Sequence, residues 1–413
     1  MTAGPTDTAT LEPLPPPEPE PPAPRRLPPA RWVRENLFNT WYNSLLTVVL
    51  GAALGWAALR ALRFVFFGAR WEIIQTNLTL LMVGRYPRDQ LFRPWLAILI
   101  VSAAAGLGAG LAARTAPRPA RWDAFKRAAP GLALLAVLAA FARTPLPALL
   151  VAASVAACLA ARTAGTRLPD KAARWLPLVY LGTVVGAYLA LTAGGPGWDS
   201  WGGLLLTLYL ALGGIVLSFP IGVLLALGRR SSFPAVRLVC VGYIELIRGV
   251  PLITLLLMGQ FMLGFFFPQG FPRPGLVVRA LIAIVLFTAA YVAEIVRGGL
   301  QGVPKGQSEA AQAIGLSPVK TTVLIVLPQA LRNVIPALVG QFISLFKDTS
   351  LVAIIGLLDL LFVAQAITQQ PGFLGQGLQA EVLVFASFVY WSFCYSMSRA
   401  SQRLERRLGV GER

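Results

Sequence analysis

Apolar runs about as long as a membrane is thick, separated by short basic links, constrain this chain more than any other feature. Ser44 to Phe67 is the first, and Trp95 to Ala113, Trp175 to Ala193, Gly203 to Leu227, Val250 to Phe267 and Gly275 to Ile295 repeat the pattern. The region Val334 to Val363 and the run Glu381 to Tyr395 complete it. A helix needs about 20 apolar residues to cross a bilayer core. Composition agrees: 56% of the 413 residues are hydrophobic and only 13% are charged, against about 25% charged in soluble domains. The expected class is an all-α polytopic membrane protein.

Charge gives the runs a direction. The net charge is +18. In a soluble protein that would suggest nucleic acid, but here the arginines cluster between spans, where the positive-inside rule accounts for them without a nucleic-acid partner. Arg229 and Arg230, the Lys305 and Lys320 loop, and the run Arg399 to Arg407 are basic, whereas Pro268 to Pro274 and Gln369 to Gln379 carry almost no charge. The last five spans therefore start outside and end inside. The links Arg114 to Arg127 and Arg162 to Arg174 are also basic and belong inside. Both termini are then cytoplasmic, with Gly68 to Pro94 external despite Arg70, Arg85, Arg88 and Arg93. Gly131 to Ala161 must begin and end on one side. Arg143, Thr144, Pro145 and Pro147 interrupt it, so it reads as a helical hairpin, giving ten spans, over a non-crossing segment and eight. Residues 1–43 read as a Pro-rich, disordered cytoplasmic tail without the basic and apolar regions of a signal peptide. Residues 44–193 form an N-terminal membrane region, 194–400 a five-span core and 401–413 a cytoplasmic tail.

Several chemistries are absent. The chain has no histidine, which removes His-based triads, zinc–histidine sites and histidine proton relays. Cys158, Cys240 and Cys394 are isolated in or beside apolar segments and fit neither a disulfide framework nor a metal cluster. No lysine follows a glycine, so the phosphate-binding loop of P-loop ATPases is missing. No enzyme activity and no bound metal or cofactor is expected of this chain. The Gly106, Gly108, Gly110 run lies inside an apolar span, where small residues serve close helix packing.

One insert does not fit a simple chain of spans. "EAAQAIGLSPVKTTVLIVLP", Glu309 to Pro328, opens like a surface helix, breaks at Gly315 and restarts. Glu309 to Ile314 is rich in helix-favouring residues, Gly315 can adopt positive φ and end the helix, and Ser317 with Pro318 reads as an N-cap followed by proline at the first helical position. From the residues alone the insert is either a helix–glycine–helix knuckle projecting from the membrane or an ordinary structured loop.

The pattern Glu309-Ala310-Ala311, then Gly315, then Ile325, Leu327 and Pro328 resembles the EAA loop of ABC importer permeases. "GYIELIRGVPLI" (Gly242 to Ile253), "AYVAEIVRGGLQGVPKGQ" (Ala290 to Gln307) and "QFISLFKDTSLVAIIGL" (Gln341 to Leu357) are similar to its polar amino-acid branch, over about Trp201 to Arg407. "NLFNTWYNSLLT" (Asn36 to Thr47) and "GRYPRDQLFRPW" (Gly84 to Trp95) resemble the general L-amino-acid subtype, which has extra N-terminal spans. The resemblance implies a type I importer core of five spans, 8–10 spans in all, and a coupling loop at 304–328. Glu309, Ala310, Ala311 and Gly315 would then seat in a groove of a cytoplasmic ATPase dimer, which uses ATP and magnesium. It further implies a second permease subunit and a periplasmic or extracellular amino-acid-binding protein. An ion-coupled carrier is the alternative, but it needs intramembrane carboxylates or an inverted repeat, and no repeat is visible.

Other polar residues carry two readings each. Glu245 and Arg248 are three apart, as are Glu294 and Arg297, so each pair can share a helix face, either to pair helices or to gate. Pro251 and Gly298-Gly299 are candidate hinges. Lys347, Asp348, Thr349 and Ser350 fall deep in the seventh run if it starts near Arg332. Charges there are costly unless paired or facing a cavity, so the group either lines a path for a zwitterion or is structural. Gln260 and Gln341 are weaker candidates of the same kind.

Overall fold

The computed structural model describes residues 28–113, 134–142, 144–268, 270 and 273–409. Among them every regular element is helical and no strand forms. The chain divides into two compact units, Met1–Ala69 and Arg70–Arg413. The larger unit takes in the described segments between residues 70 and 193 together with the C-terminal block.

In the first unit, α1 (Pro29–Leu37) and α2 (Trp41–Arg63, ending in a π turn Phe64–Gly68) follow residues 1–27, which lie outside the described set. The expected tail thus carries helix from Pro29. Thr40 caps α2 by accepting from the Asn43 N–H at 3.4 Å, and the Thr47 hydroxyl ties α2 to the Leu37 carbonyl at 2.9 Å. No residue of α2 is buried and the helix is apolar on all sides, the character of a membrane span.

In the second unit, the link expected at Gly68 to Pro94 contains α3 (Glu72–Val83), with Ile73, Ile74 and Leu81 fully buried. Its hydropathy is high, but twelve residues are too few to cross, so no length argument could reveal it. Its arginines also answer to tertiary structure. Arg70 donates to Gln376 Oε1 at 3.0 Å and to the Gln376 carbonyl at 2.8 Å, and Arg93 caps α7 (Leu176–Thr192) through the carbonyls of Ala193 (2.6 Å) and Gly194 (3.0 Å). These guanidinium groups satisfy helix ends and loops. Their charge therefore does not mark the link as cytoplasmic.

α4 (Phe92–Ala113) lies along α6 (Pro145–Arg167) on a glycine seam. A Cβ on Gly106 would fall on the Cys158 carbonyl, and one on Gly165 would come 2.6 Å from the Leu107 oxygen. This is the close packing expected of the Gly106–Gly110 run. Gly106→Val should therefore cost at least the roughly 1–3 kcal/mol of an overpacked core and abolish a monodisperse peak in fluorescence-detected gel filtration. Gly182→Val, with no atom within 4 Å of the added Cβ, should keep it. Equal behaviour of the two variants would refute the seam.

The hairpin expected over Gly131 to Ala161 differs in the bounds of its second limb. Its second limb is the 23-residue α6, starting at Pro145 and running past Ala161 to Arg167. The first limb falls partly outside the described residues. Residues 134–141 form α5, with Phe141 5.5 Å from the Trp71 ring and 5.7 Å from that of Phe385.

The C-terminal block holds four helical runs long and apolar enough to cross, α8 (Gly203–Arg229), α11 (Leu276–Gln301), the 38-residue run Pro318–Ile355 and α16 (Gln379–Leu408), and a bent pair, α9 (Pro234–Arg248) and α10 (Leu252–Phe261), that makes a fifth when counted as one span. Seven described helices are long and apolar enough to cross a membrane, eight with the bent pair counted; α7, at 17 residues, sits at the lower limit for one. Three boundaries move. The span expected at Val250 to Phe267 is the α9–α10 pair, bent by 104° at Gly249–Pro251, because proline withholds a donor and pushes the preceding residue out of the helical region. The run ending at Val363 stops at Ile355, and α15 (Leu360–Ala366) is separate. Helix α16 continues to Leu408, through most of the expected tail.

At the centre, α11 packs on α8, α9, α10 and α14 (Leu327–Asp348) through small buried residues, Ala280, Ala283, Ala289, Ala290 and Ala293. In lipid such residues permit the backbone approach that dispersion rewards. Gly299 belongs to this packing: its Cβ would come 2.6 Å from the Ala330 oxygen. The expected hinge at Gly298-Gly299 is therefore a contact inside a continuous helix. The bend lies at Pro251.

Candidate functional site

The knuckle forms as its residues require. α12 (Lys305–Ala313) ends at Ile314, and Gly315 takes φ +84°. The Leu316 N–H donates to the Ala311 carbonyl at 3.1 Å and the Gly315 N–H to the Gln312 carbonyl at 2.9 Å, the paired bonds of a Schellman cap. Ser317 then accepts from the Lys320 N–H and Pro318 opens α13 (Pro318–Lys320), which runs through a π turn, Thr321–Val326, into α14. Gln329 ties the base together, donating to Gln307 Oε1 at 3.3 Å and to the Ile325 carbonyl at 2.9 Å.

Of the four coupling candidates, Glu309, Ala310 and Gly315 are exposed while Ala311 is buried against the knuckle's own support. Sequence reasoning missed two neighbours. Ile314 is 79% exposed and Val319 72% exposed. They place bare apolar surface beside the polar helix α12, and both are visible in the sequence as apolar residues flanking the glycine.

The charge cluster is wider than its sequence pairs suggest. Glu294 on α11 accepts from Arg297 one turn on, with Nε 3.0 Å from both carboxylate oxygens. It also meets Arg229 of α8 at 3.4 Å and Arg248 of α9 at 3.6 Å. The Glu294–Arg297 pair forms as expected. Among the described residues Glu245 and Arg248 do not pair with each other; Glu245 turns to Arg229 at 2.9 Å, and the Arg248 guanidinium stacks over Tyr291 at 5.7 Å. Three helices are thereby joined just before the bend at Pro251.

The intramembrane candidates separate. Thr349 is fully buried and its hydroxyl donates to the Phe346 carbonyl at 2.7 Å, while Ser350 donates to the Lys347 carbonyl at 2.8 Å. Lys347 is exposed and Asp348 half-buried, and among the described residues neither forms an ion pair. Gln260 serves structure, donating to the Ile355 carbonyl at 3.3 Å and accepting from Arg279 on its own carbonyl at 2.7 Å. Gln341 is half-buried, and nothing in the structure assigns it a partner. A carboxylate that sequence reasoning passed over, Asp359, is fully buried. It caps α15 by accepting from Leu361 and Phe362 N–H at 3.0 and 3.1 Å and takes a third bond from the Tyr390 hydroxyl at 3.3 Å. A lone acid between apolar runs is an N-cap signal, and that could have found it.

Residues 218–410 match the family described as the inner membrane component of binding-protein-dependent transport systems. The inner membrane amino-acid ABC transporter permease protein YhdY of Escherichia coli K12 is 40% identical over 395 residues, 92% of this chain and 93% of that protein. The chain belongs to this permease family. A second relative, the glutamate/glutamine/aspartate/asparagine transport system permease protein BztC of Rhodobacter capsulatus, is 36% identical and shares 92% of this chain and 93% of its own. A crystal structure of an amino acid ABC transporter with histidines is 32% identical over 49% of this chain and 90% of that one, with a TM-score of 0.43. By family membership the chain is a multi-pass inner-membrane permease, and the family match runs from within α8 through α16. Membership sets aside the ion-coupled carrier.

Proposed function

We propose that this permease imports polar L-amino acids as the membrane subunit of an assembly powered by a separate cytoplasmic ATPase dimer. The observation that carries the reading is the stiff, exposed knuckle at 305–320, capped at both of its turns, with Ile314 and Val319 bare beside Glu309. A short helix held this way can transmit a rigid-body movement without melting, as alternating access demands. ATP and its magnesium ion belong to the partner. The names of the relatives support amino acids as substrate and, with the family's description, an external binding protein. A second permease subunit completes the path, and Lys347, exposed on its span and in no ion pair among the described residues, would face that junction together with Asp348. Both termini are cytoplasmic, by the charge of the links.

Reconstitution tests the reading. Liposomes holding this chain alone should accumulate no amino acid against a gradient, and adding the ATPase, the second permease and a liganded binding protein should restore uptake. Concentrative uptake by the chain alone would overturn it.

A further inference from the structure

Five glutamines fall between residues 365 and 379, and the structure uses them in two ways. Gln370 donates to Asn77 Oδ1 at 2.9 Å, and Gln376 holds the Arg70 guanidinium through Oε1 at 3.0 Å and its carbonyl at 2.8 Å. The Arg70 N–H reaches Glu381 at 3.2 Å. These bonds fasten the loop after α15 to α3 and to the start of α16. The other three glutamines line two adjoining depressions. One, of about 480 Å³, is formed by Phe362, Gln365, Ala366, Gln369, Gln379 and Leu383. Its neighbour, of about 390 Å³, shares Gln369 and Gln379 and adds Thr368 and Phe373. Both are open depressions with volumes of the size of small-molecule sites, about 300–1,000 Å³.

The chemistry of the lining is specific. No charged side chain borders either depression. Among the described residues the exposed amides of Gln365 and Gln379 have no hydrogen-bond partner, and Gln369 makes only a 3.2 Å bond to the adjacent Thr368. A carboxamide both donates and accepts, so three of them can meet an α-carboxylate through N–H and an α-ammonium through C=O. Phe362 and Leu383 offer apolar surface to the carbon skeleton. A lining without charge cannot compensate a ligand's net charge for lost water. It therefore favours an amino acid whose charges cancel over a basic or acidic one.

We propose that this glutamine-lined depression is a reception site for a zwitterionic amino acid of no net charge at the outer mouth of the permease. The proposal rests on the amino-acid-importer reading, whose orientation puts Gln369 to Gln379 outside.

The test uses the complete complex, with its ATPase and second permease, in lipid nanodiscs, and measures equilibrium binding of labelled L-glutamine, L-lysine and L-glutamate without the binding protein. Saturable glutamine binding is expected, weakened roughly tenfold or more in the double variant Gln369→Leu, Gln379→Leu, since each tenfold corresponds to about one lost polar contact. Gln369→Glu should move preference toward lysine and Gln369→Lys toward glutamate, a reversal that a merely structural role would not produce. Absent glutamine binding in the unaltered complex, or binding unchanged in the double variant, would overturn the site. Loss of affinity for the binding protein with glutamine binding intact would also overturn it, making the depression a docking surface. Failure of the complete complex, with binding protein, to transport any amino acid would instead defeat the importer reading itself.

Discussion

Replacing Glu294 with glutamine should destabilise the permease by about 3 kcal/mol, the lower end of the cost of removing one partner from a buried ion pair. The lower end applies because a quarter of its side chain, 24%, is still exposed. The effect is large because one carboxylate serves three guanidinium groups. Arg229, Arg248 and Arg297 all meet it, and without its charge they would repel one another across α8, α9 and α11. Glu245 gives the contrast. It is 55% exposed and among the described residues pairs with Arg229 alone, so Glu245→Gln should cost under about 1 kcal/mol, as exposed pairs do. Thermal unfolding of the two purified variants checks the order. Equal shifts would show that the cluster is a set of independent pairs with no hub.

Gly315→Val should nearly abolish ligand-stimulated ATP hydrolysis while leaving insertion and folding intact. Its φ of +84° lies in the left-handed region, where a residue with a Cβ loses roughly 1–2 kcal/mol and a β-branched one fares worse. No atom lies within 4 Å of the added Cβ, so the penalty falls on the direction of the chain and not on packing. Relief comes by rotating the turn, which breaks the paired bonds to Ala311 and Gln312 and swings Ile314 and Val319 away from their partner. Loss of about 1.4 kcal/mol of docking already lowers the rate tenfold. Glu309→Lys should weaken docking to a basic groove in the same way. Wild-type stimulated rates in both variants, at normal expression, would refute the coupling role.

Much of the knuckle was legible because its signals are local. Gly315 needs positive φ, Ser317 caps within three residues, and Pro318 suits the first helical turn whatever lies around it. The spans were legible for a similar reason, since a bilayer tests each run by length and polarity alone. The same test hides what is short or interrupted. α3 is too brief to count as a crossing, and its apolar residues acquire meaning only when buried under α8, α15 and α16. The Val250 to Phe267 run looked like a span because its bend at Pro251 does not change its hydropathy.

By itself the sequence determined the class, most of the apolar runs of the C-terminal block, the caps of the coupling loop and the absence of a P-loop, all properties of contiguous residues. Only the tertiary structure decided partners. Glu245 and Arg248 share a helix face at ideal spacing, yet Arg229 of α8 reaches Glu245 first and Arg248 turns to Glu294. Arg70 and Arg93, counted as misplaced positive charge, are ligands of Gln376 and of the end of α7. Asp359 is held by backbone N–H groups and Tyr390, from a helix thirty residues on. Spacing along one helix fixes which side chains could meet. Which of them do meet depends on the distances between helices, and those are set by small residues such as the alanines of α11 and Gly299, whose contribution is to let neighbouring backbones come close.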